Sequence, residues 1–344
     1  MTTPTLETPR ILLRPTKISD AQAIFTNWTS DPDVAKFMRW STHSSIDETI
    51  TWLTASEKNI ESPNVFDWLF VLKETGRPFG SGGVFYNSTH DMFELGYCMM
   101  KAAWGRGLAT EAAQAVLTFA TRVLGKKKFF ACHAKENTAS GRILEKLGFV
   151  YKNDGSYTSF DGTRTFDSRE YLYNMRLFHV SEEPGIEKFI PRVPYRQDVD
   201  QSKGLVWSLE EAPVPHWLTP RDCPRVGYRA VPGTTREDIA KFFASSARHG
   251  VAIEHDWHKK MAETTLYLYE FDPANFYWDE QAGFFVSDKT EIPIGVTKYD
   301  CLFEELARRN IEIRIMNNLW AFSEEVMQST LKWSRCRMKN ATPV

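Results

Sequence analysis

The feature that most constrains the fold is an apolar strand pattern that runs through a glycine-containing turn into a long amphipathic helix. Residues 94–100 read ELGYCMM, the turn reads KAAWGRG, and a segment from Ala109 to Leu124 follows. Apolar residues recur in that last segment at helical spacing, so it predicts a helix with one buried face. The stretch therefore predicts an α/β core.

Gly105 and Gly107 lie where the predicted strand turns into the helix, which leaves the first backbone N–H groups of the helix uncovered. Uncovered amides and the positive end of the helix dipole form an anion site, and Arg106 adds a positive charge beside it. A pyrophosphate fits such a site. A Gly-x-Gly turn alone also fits an ordinary structural corner, so a second segment is needed to decide.

That segment reads NTASGRILEKLGF over residues 137–149. Together with the turn it resembles the GNAT acetyltransferase superfamily, specifically its RimJ/RimL-like branch. The superfamily's phosphate loop is usually written Gln/Arg-x-x-Gly-x-Gly/Ala, and Gly107 and Ala109 occupy its last two fixed positions. Trp104 stands where Gln or Arg normally is, a departure that members of this branch commonly share. The resemblance extends from about Pro9 to about Arg176.

The resemblance implies a GNAT-type mixed central sheet flanked by helices over residues 1–176. The 344 residues suit two domains, each long enough to bury its own core. Prolines become frequent from about Leu177, and a second α+β domain is predicted over residues 177–344. That half resembles a small bacterial family of uncharacterised function in HVSEEP at 179–184, VWS at 206–208, PRDCPR at 220–225 and AGFFVS at 282–287.

Periodicity and turn residues predict the flanking elements. In the first domain we expect a helix at Asp47–Lys58, a strand at Phe66–Leu72, a strand interrupted by Gly80–Gly83, and a closing strand at Arg169–Phe178. In the second domain we expect helices at Arg236–Ser245, Glu254–Glu263, Leu302–Arg309 and Ser323–Leu331, and strands at Val206–Ser208, Arg225–Arg229, Thr265–Phe271, Gly283–Val286, Ile311–Met316 and Lys332–Met338.

Composition narrows the classes of partner. The chain carries 42 Lys and Arg against 44 Asp and Glu, and a net charge of −2 without a basic stripe argues against nucleic acid. Five cysteines without a Cys-x-x-Cys pair suggest reduced thiols in a cytosolic setting. No apolar signal core and no run of membrane-spanning length is present. We expect a cytoplasmic protein without a membrane partner, whose oligomeric state the sequence leaves open.

The resemblance implies transfer of an acetyl group from acetyl-CoA, the co-substrate, to a primary amine. Alignment of the reactants can lower the barrier by about 7–11 kcal/mol. The attacking amine must be neutral, although an amine of the lysine type has a pKa of about 10.4, so a nearby carboxylate is needed to take its proton. Glu94 is the candidate base because it starts the strand that leads to the phosphate loop. The alternative is an exposed carboxylate at a strand edge.

The resemblance also assigns groups that would hold the cofactor. A backbone N–H of Cys98, Met99 or Met100 would meet the oxyanion, and Asn137 would either bind the pantetheine arm or cap a helix. Many superfamily members carry a tyrosine acid seven residues after the Asn, where this chain has Leu144. That role is vacant, passes to water or Ser140, or is not needed. The pyrophosphate would lie on the amides of Arg106, Gly107, Leu108, Ala109 and Thr110.

Four apolar residues near the first predicted helices either wall an acceptor pocket, where the resemblance would place them, or pack in the core: Trp28, Phe37, Met38 and Trp40. This Trp/Phe/Met-rich entrance and the bulky second domain favour a small amine-bearing metabolite or toxin as acceptor. A protein N-terminal α-amine is the alternative acceptor within the branch. Leu144 favours a different class, a non-catalytic acyl-CoA sensor.

The second domain offers two further patterns. His179 and Ser181 form a His-x-Ser start that is faintly similar to the opening motif of ADP-ribosyltransferase-like folds. This motif leaves open a bifunctional protein whose C-terminal half acts on NAD or a nucleotide. His255 and His258 are spaced three apart, but no further ligand completes a tetrahedral set, so we expect a solvated helix face and no metal site.

Overall fold

The computed structural model describes residues 1–194, 196 and 198–343. The chain divides into two compact units, Met1–Asn174 and Met175–Val344. The division predicted from the sequence places the boundary after residue 176. Among the described residues, no helix has the length and apolar character needed to cross a membrane.

The first unit contains one eight-stranded sheet in the order β1-β2-β3-β4-β5-β6-β8-β7. Only β5 and β6 pair in parallel, and the other neighbours are antiparallel. The predicted mixed α/β fold is therefore confirmed. The strands are β1 (Leu6–Glu7), β2 (Ile11–Arg14), β3 (Val65–Leu72), β4 (Pro78–Asn87), β5 (Met92–Met99), β6 (Lys128–Ala134), β7 (Val150–Thr158) and β8 (Thr165–Asn174).

Helices flank this sheet and bury separate apolar clusters. One cluster packs the long helix α4 against strand residues such as Phe66, Trp68 and Leu95. A second cluster packs the early helices against Leu69 and Val71, the alternate residues of β3, because side chains alternate between the faces of a strand. The helices are α1 (Ala21–Ile24), which continues as a π-helical turn over Phe25–Thr29, α2 (Pro32–Ala35), α3 (Ile46–Lys58), α4 (Leu108–Arg122) and α5 (Thr138–Lys146).

The glycine string lies inside β4 and does not interrupt it. A Cβ on Gly82 would lie 2.5 Å from the Gly96 carbonyl oxygen, and one on Gly83 would lie 1.9 Å from the Phe66 carbonyl oxygen. These glycines therefore let the backbones of three central strands approach closely. On the face that carries the site described below, Gly83 and Gly96 have no side chains, and the Phe85 ring lies against Gly96.

The second unit contains a six-stranded sheet, β14-β15-β10-β9-β13-β16, and a four-stranded sheet, β17-β12-β11-β18. Its strands are β9 (Leu177–Ser181), β10 (Val206–Glu210), β11 (Arg225–Arg229), β12 (His249–Glu254), β13 (Leu266–Phe271), β14 (Tyr277–Asp279), β15 (Phe284–Ser287), β16 (Gly295–Tyr299), β17 (Glu312–Met316) and β18 (Lys332–Cys336). Its helices are α6 (Arg236–Phe242), α7 (His258–Glu263), α8 (Leu302–Arg308) and α9 (Trp320–Met327).

Several predicted elements are wrong in extent, among them the helix predicted over Ser323–Leu331, which lies at Trp320–Met327. The strand predicted over Arg169–Phe178 is divided between β8 and β9, which belong to different sheets. The helix predicted from Glu254 starts only at His258, because Glu254 ends the buried strand β12. Five strands are missing from the prediction: β1, β7, β12, β14 and β16. Most side chains of β7 and β16 are exposed, so these two strands lack the apolar alternation by which a strand is recognised.

Candidate active site

The sheet of the first unit opens between its two parallel strands. β5 and β6 pair only where they begin, at Phe93 with Phe129 and at Glu94 with Phe130. Farther along, β5 stays paired with β4 and β6 stays paired with β8, and these two fully described strands no longer pair with each other. A cavity of about 350 Å³ lies at this split. It is lined from β5 by Glu94, Gly96, Tyr97 and Cys98 and from β6 by Cys132 and His133.

The amides of β5 divide between its two sides. The Met100 amide donates to the Phe79 carbonyl at 2.8 Å, so it is already used beside β4. Because backbone groups alternate sides along a strand, the Cys98 amide also faces β4, whereas the amides of Tyr97 and Met99 face the split. Of the three amides predicted as oxyanion donors, only that of Met99 faces the split, and the Tyr97 amide faces it too.

Glu94 lies inside the cavity rather than at an exposed edge. It is 7% exposed, and its Oε2 accepts a hydrogen bond from Asn87 Nδ2 at 2.6 Å. Asn87 is itself fixed, since its Oδ1 accepts the Thr89 amide at 2.9 Å. The Cys132 thiol lies 3.8 Å from the other Glu94 oxygen, Oε1. One carboxylate oxygen is therefore firmly held, and among the described residues the second has a weak thiol donor and no other.

A second carboxylate, which sequence reasoning missed, lines the same cavity. Asp67 lies on β3 and accepts a hydrogen bond from the Ser56 hydroxyl at 3.3 Å. Burial raises the pKa of Asp67 to about 7, and the hydrogen bonds from Ser56 and the Trp68 amide offset only part of that rise. The single sequence signal was a polar residue within the apolar run VFDWLFVL.

A hydroxyl pair lies where β5 and α5 meet at the cavity. The Tyr97 hydroxyl lies 3.1 Å from Ser140 Oγ, and both residues line the cavity beside Leu144, which is buried. Burial raises the pKa of Tyr97 far above its ordinary value, so the phenol stays protonated. Asn137 also lines the cavity, and its side chain accepts the Ser140 amide at 3.3 Å as a helix cap.

Three of the four residues predicted to wall an acceptor pocket line the cavity, and one does not. Phe37, Met38 and Trp40 line the cavity, whereas Trp28 is fully buried in the cluster beneath the early helices and does not line it. Core packing therefore accounts for Trp28, whose aromatic character alone could not distinguish the two roles.

The hairpin of β7 and β8, of which the sequence predicted only part of β8, holds this wall. The Tyr157 hydroxyl donates to the Phe37 carbonyl at 2.7 Å. An Arg164 guanidinium nitrogen donates to the Trp40 carbonyl at 2.9 Å and to the Met38 carbonyl at 3.2 Å. The segment that carries Phe37, Met38 and Trp40 is thus clamped through its backbone, which leaves the side chains free to line the cavity.

The predicted phosphate loop has the expected backbone geometry. Gly107 is the N-cap of α4 with a φ of 73°, and among the described residues no side chain caps this end. The Glu111 amide bonds to the Gly107 carbonyl at 3.2 Å, so the amides of Leu108, Ala109 and Thr110 precede the first helical bond. The side chains of Leu108 and Ala109 are buried, so only their backbone is offered to a ligand.

Two side chains brace this loop. The Trp104 indole donates to the Met99 carbonyl at 3.0 Å, which ties the loop to the end of β5. Arg10 donates through Nε to Glu111 at 2.6 Å and through a terminal nitrogen to the Arg106 carbonyl at 3.1 Å. Neither these residues nor Met99, Met100 and residues 106–110 line the cavity at the split.

The thiols at the split are poor nucleophiles. Burial raises the pKa of Cys98 to about 11 and that of Cys132 to about 12. Because the thiolate is the reactive form of cysteine, both side chains stay unreactive near neutral pH. The arrangement therefore suits direct transfer between two bound reactants rather than transfer through an acylated cysteine.

His179 and Ser181, the candidate residues of the second unit, both contact backbone groups of their own unit. A His179 ring nitrogen, Nδ1, lies 3.0 Å from the Trp207 carbonyl, and burial lowers the pKa of the imidazole. Ser181 Oγ accepts the Glu183 amide at 3.1 Å. Neither residue lines the cavity of about 220 Å³ near Arg176 and Glu270 in that unit. His255 is exposed, and the described residues contain no group of three or more metal-ligating side chains.

Comparison with known proteins assigns each half of the chain to a family. The Acetyltransferase (GNAT) domain matches residues 10–150. A family of unknown function, DUF6886, matches residues 178–341.

Relatives of known sequence match the first half. The chain is 28% identical over 147 residues to an uncharacterized N-acetyltransferase, YoaA, of Bacillus subtilis. This alignment covers 42% of this chain and 82% of that protein. The chain is 30% identical over 148 residues to the uncharacterized protein YkkB of the same organism, covering 42% of this chain and 85% of that protein.

Among solved structures, a GNAT-family acetyltransferase from Bacillus anthracis aligns with a TM-score of 0.44 at 22% identity, covering 50% of this chain and 98% of that chain. The family match, the sequence relatives and the split sheet agree: the chain belongs to the GNAT family of acetyltransferases and carries a DUF6886 domain in its C-terminal half.

Proposed function

We propose that the first unit transfers the acetyl group of acetyl-CoA to the primary amine of a small molecule. The observation that carries this proposal is the split between β5 and β6, because a buried carboxylate and a hydroxyl pair line one cavity there and the amides of Tyr97 and Met99 face the same split. Beyond the family, these groups are the ones that amide formation from a thioester needs.

The loop before α4 fits the pyrophosphate of the co-substrate. Its uncapped amides and the dipole of a 15-residue helix favour an anion, and Gly105 has open space where a side chain would stand. Arg106 supplies positive charge at the same place, whereas the charge of Arg10 is paired with Glu111. Asn137 and the amides of Tyr97 and Met99 then receive the pantetheine arm and the thioester carbonyl along the split.

Glu94 is the proposed base. One of its oxygens is held by Asn87, and the other faces the cavity. It takes a proton from the bound ammonium, directly or through one water, so that the neutral amine attacks the carbonyl carbon. One N–C bond forms and the C–S bond breaks. Of the two protons that the ammonium loses, one goes to Glu94 and the other ends on the leaving sulfur.

Tyr97 and Ser140 are the groups that reach the leaving sulfur. Leu144 cannot donate a proton, but the Tyr97 phenol and the Ser140 hydroxyl share a hydrogen bond beside it. Together they form a donor chain that replaces the tyrosine found at this helix position in many relatives. This placement of acid and base supports turnover over a purely cofactor-sensing role.

A small acceptor is favoured over a protein N-terminus because aromatic side chains surround the amine side of the cavity. The aromatic residues that line the cavity there are Phe37, Trp40, Trp52, Phe85 and Phe160. Phe160 lies at the rim and is 79% exposed. A RimJ/RimL-like protein N-terminal acetyltransferase is the second candidate within the family. Such an enzyme would have to admit an extended peptide past this aromatic rim.

The test is a titration of purified full-length protein with acetyl-CoA by calorimetry, followed by an acceptor screen. We expect micromolar binding that weakens at least 10-fold in Gly107→Val, since a β-branched residue at φ 73° distorts the loop. The exposed Gly76→Ala, which lies outside the site at φ 65°, is the matched control for glycine replacement. A wild-type protein without affinity for acetyl-CoA would refute the proposal, and acetylation of peptide N-termini alone would refute the choice of a small acceptor.

A further inference from the structure

We infer that the second unit has a binding site of its own, which takes a small carboxylic acid with an apolar body. The carboxylate binds to Arg309 and Tyr299, and the body lies in the apolar part of the cavity of about 220 Å³ in that unit. Every residue that lines this cavity belongs to the second unit. The site is therefore separate from the split between β5 and β6, and its occupation does not depend on acetyl transfer.

The floor of this cavity is one face of the sheet around β13. Glu270 is paired with Phe178 on β9 and with Gly295 on β16, so these three residues share a face. Leu268 and Thr297, which are paired with each other, continue the same face. A Cβ on Gly295 would meet no atom within 4 Å. The sheet therefore leaves an open place over Gly295, beside the apolar side chains of Phe178 and Leu268.

Arg309 carries the charge that attracts the ligand. Its Nε donates to Glu305 Oε1 at 2.5 Å, and Glu305 also accepts two hydrogen bonds from Arg308, at 2.8 and 2.9 Å. One buried carboxylate thus serves two guanidinium groups, which leaves one positive charge in excess. The Arg308 side chain is 69% exposed, whereas that of Arg309 is 22% exposed. Because water screens exposed charges, the excess charge acts mainly at Arg309.

Two hydrogen-bond donors lie side by side at this charge. Arg309 Nη2 donates to the Tyr299 hydroxyl oxygen at 2.8 Å, so the hydroxyl hydrogen of Tyr299 is directed elsewhere. Among the described residues, no group accepts a hydrogen bond from that hydroxyl or from Arg309 Nη1. Both residues line the cavity. A carboxylate has two oxygens and can accept from both donors at once.

The other charges of the cavity are paired with each other. Arg176 donates to both oxygens of Glu270 at 2.8 Å and to Glu211 at 3.1 Å, so each of its three nitrogens is used. One guanidinium thus serves two carboxylates, which leaves one negative charge on this side. A ligand with two negative charges would meet that charge and only one guanidinium in excess. The cavity therefore favours a carboxylate with a single charge over a phosphate.

The apolar lining determines the rest of the ligand. Phe178, Val214 and Leu268 belong to a buried apolar cluster of this unit and line the cavity. A volume of about 220 Å³ corresponds to about seven waters at about 30 Å³ each. The body that fits is therefore an apolar chain of a few carbons, which gains by leaving water for this lining.

The experiment is a calorimetric titration of the full-length protein, without acetyl-CoA, with 4-methylpentanoate and with its neutral isostere 4-methylpentanamide. We expect the carboxylate to bind at least about 10-fold more tightly than the amide, as for a charge-assisted contact. Arg309→Gln should remove this difference. Arg308→Gln is the matched control, because it also removes a partner of Glu305 but Arg308 does not line the cavity. Its affinity should change by less than about threefold, since water screens the lost charge.

Gly295→Leu tests the cavity without a change of charge. The leucine side chain would fill the open place above the sheet, so we expect it to abolish binding of 4-methylpentanoate while thermal unfolding stays as in the wild type. Gly295→Ala, which adds one methyl group, should weaken binding less. Leucine as a ligand then tells an amino acid from a free acid. Leucine binding that Arg309→Gln weakens supports an amino acid, and binding of 4-methylpentanoate alone supports a free acid.

A wild type that binds the amide as tightly as the carboxylate overturns the inference. Binding of 4-methylpentanoate that both Arg309→Gln and Gly295→Leu leave unchanged does so as well. A wild type that binds neither compound at about 10 mM also refutes it. None of these results depends on turnover, so a protein that binds the carboxylate but does not bind acetyl-CoA contradicts the proposed function alone.

Discussion

Each unit of the protein buries ionisable groups, but in different surroundings. In the first unit, Asp67 and Glu94 face a cavity of about 350 Å³. In the second unit, His216 and His249 stack edge to face at 4.6 Å between ring centroids, and His216 is only 2% exposed. Burial opposes the charged form in both places, raising the pKa of Asp67 and lowering the pKa of each histidine.

The histidine pair is enclosed by its own sheet. A Cβ on Gly227 would lie 2.2 Å from the His216 ring, so the ring occupies the space that this glycine leaves. Ser334 Oγ lies 2.7 Å from His216 Nδ1, while among the described residues neither His216 Nε2 nor His249 Nε2 has a hydrogen-bond partner. A perturbed pKa thus marks a candidate site only where the structure leaves room for a ligand.

The comparison between cavity-facing and enclosed ionisable groups is tested most directly by neutralising Glu94, the carboxylate proposed as base. Glu94→Gln keeps the shape and the Asn87 contact but cannot accept a proton, so kcat/KM should fall by about 10²–10⁴-fold, the usual contribution of general base catalysis. Steady-state kinetics with the best acceptor checks this. Glu136→Gln, an exposed glutamate, should retain wild-type activity, and a Glu94→Gln loss below threefold would remove Glu94 from the mechanism.

The second prediction is that the second unit loses stability as the pH falls. The folded-state pKa of His249 is about 3, below the unfolded value of about 6.5, so the unfolded state binds more protons between these values. Stability is therefore lost as pH falls below about 6.5, by about 1–2 kcal/mol at pH 5 from His249 alone. Hydrogen exchange of β11 and β12 at pH 7.5 and 5.0 measures it.

His249→Gln removes the titrating group and should flatten this pH dependence. His255→Gln, in which an exposed histidine is replaced, should leave it as in the wild type. Equal acid sensitivity of the wild type and His249→Gln would mean that the enclosed pair does not control the acid response of the second unit.

The third prediction is that Asp67 lowers stability. Its folded-state pKa of about 7 lies above the unfolded value of about 3.9, so stability is lost as pH rises between them. Asp67→Asn should therefore raise the free energy of unfolding by about 1–2 kcal/mol at pH 8, with little change at pH 4, after allowance for partial exposure. Urea unfolding at both pH values checks it, and a destabilised variant at pH 8 would contradict it.

The parts of the fold that could be predicted from the sequence are those whose signals lie close together in the chain. The strand, glycine turn and helix around Gly107 were predictable because their signals lie within 31 contiguous residues, Glu94–Leu124. The predicted turn between strand and helix is present, with φ values of 71° at Gly105 and 73° at Gly107, whereas phosphate binding there stays a prediction. The strands β7 and β16 were missed because exposed polar strands carry no apolar alternation.

The site was harder to predict than the fold, since its partners are distant in sequence. Asp67 and Glu94 meet one cavity only through the register of β3, β4 and β5. The Tyr97–Ser140 contact joins residues 43 positions apart, so neither suggested the other. Trp28 and Trp40 looked alike as apolar residues near one helical segment, and only packing separates the core residue from the cavity residue.

The smallest expected effect concerns the hydroxyl pair opposite the carboxylates. If Tyr97 acts by orienting Ser140 toward the leaving sulfur, Tyr97→Phe removes one neutral hydrogen bond, worth about 0.5–1.5 kcal/mol, and should lower kcat by about 3–10-fold without changing KM for the amine. Ser140→Ala should have an effect of similar size. Because the two groups act as one chain, the double variant should be no slower than the worse single variant. Independent, multiplying losses would instead mean that the two hydroxyls serve separate steps, and an unchanged kcat in all three variants would mean that the leaving thiolate is protonated by solvent.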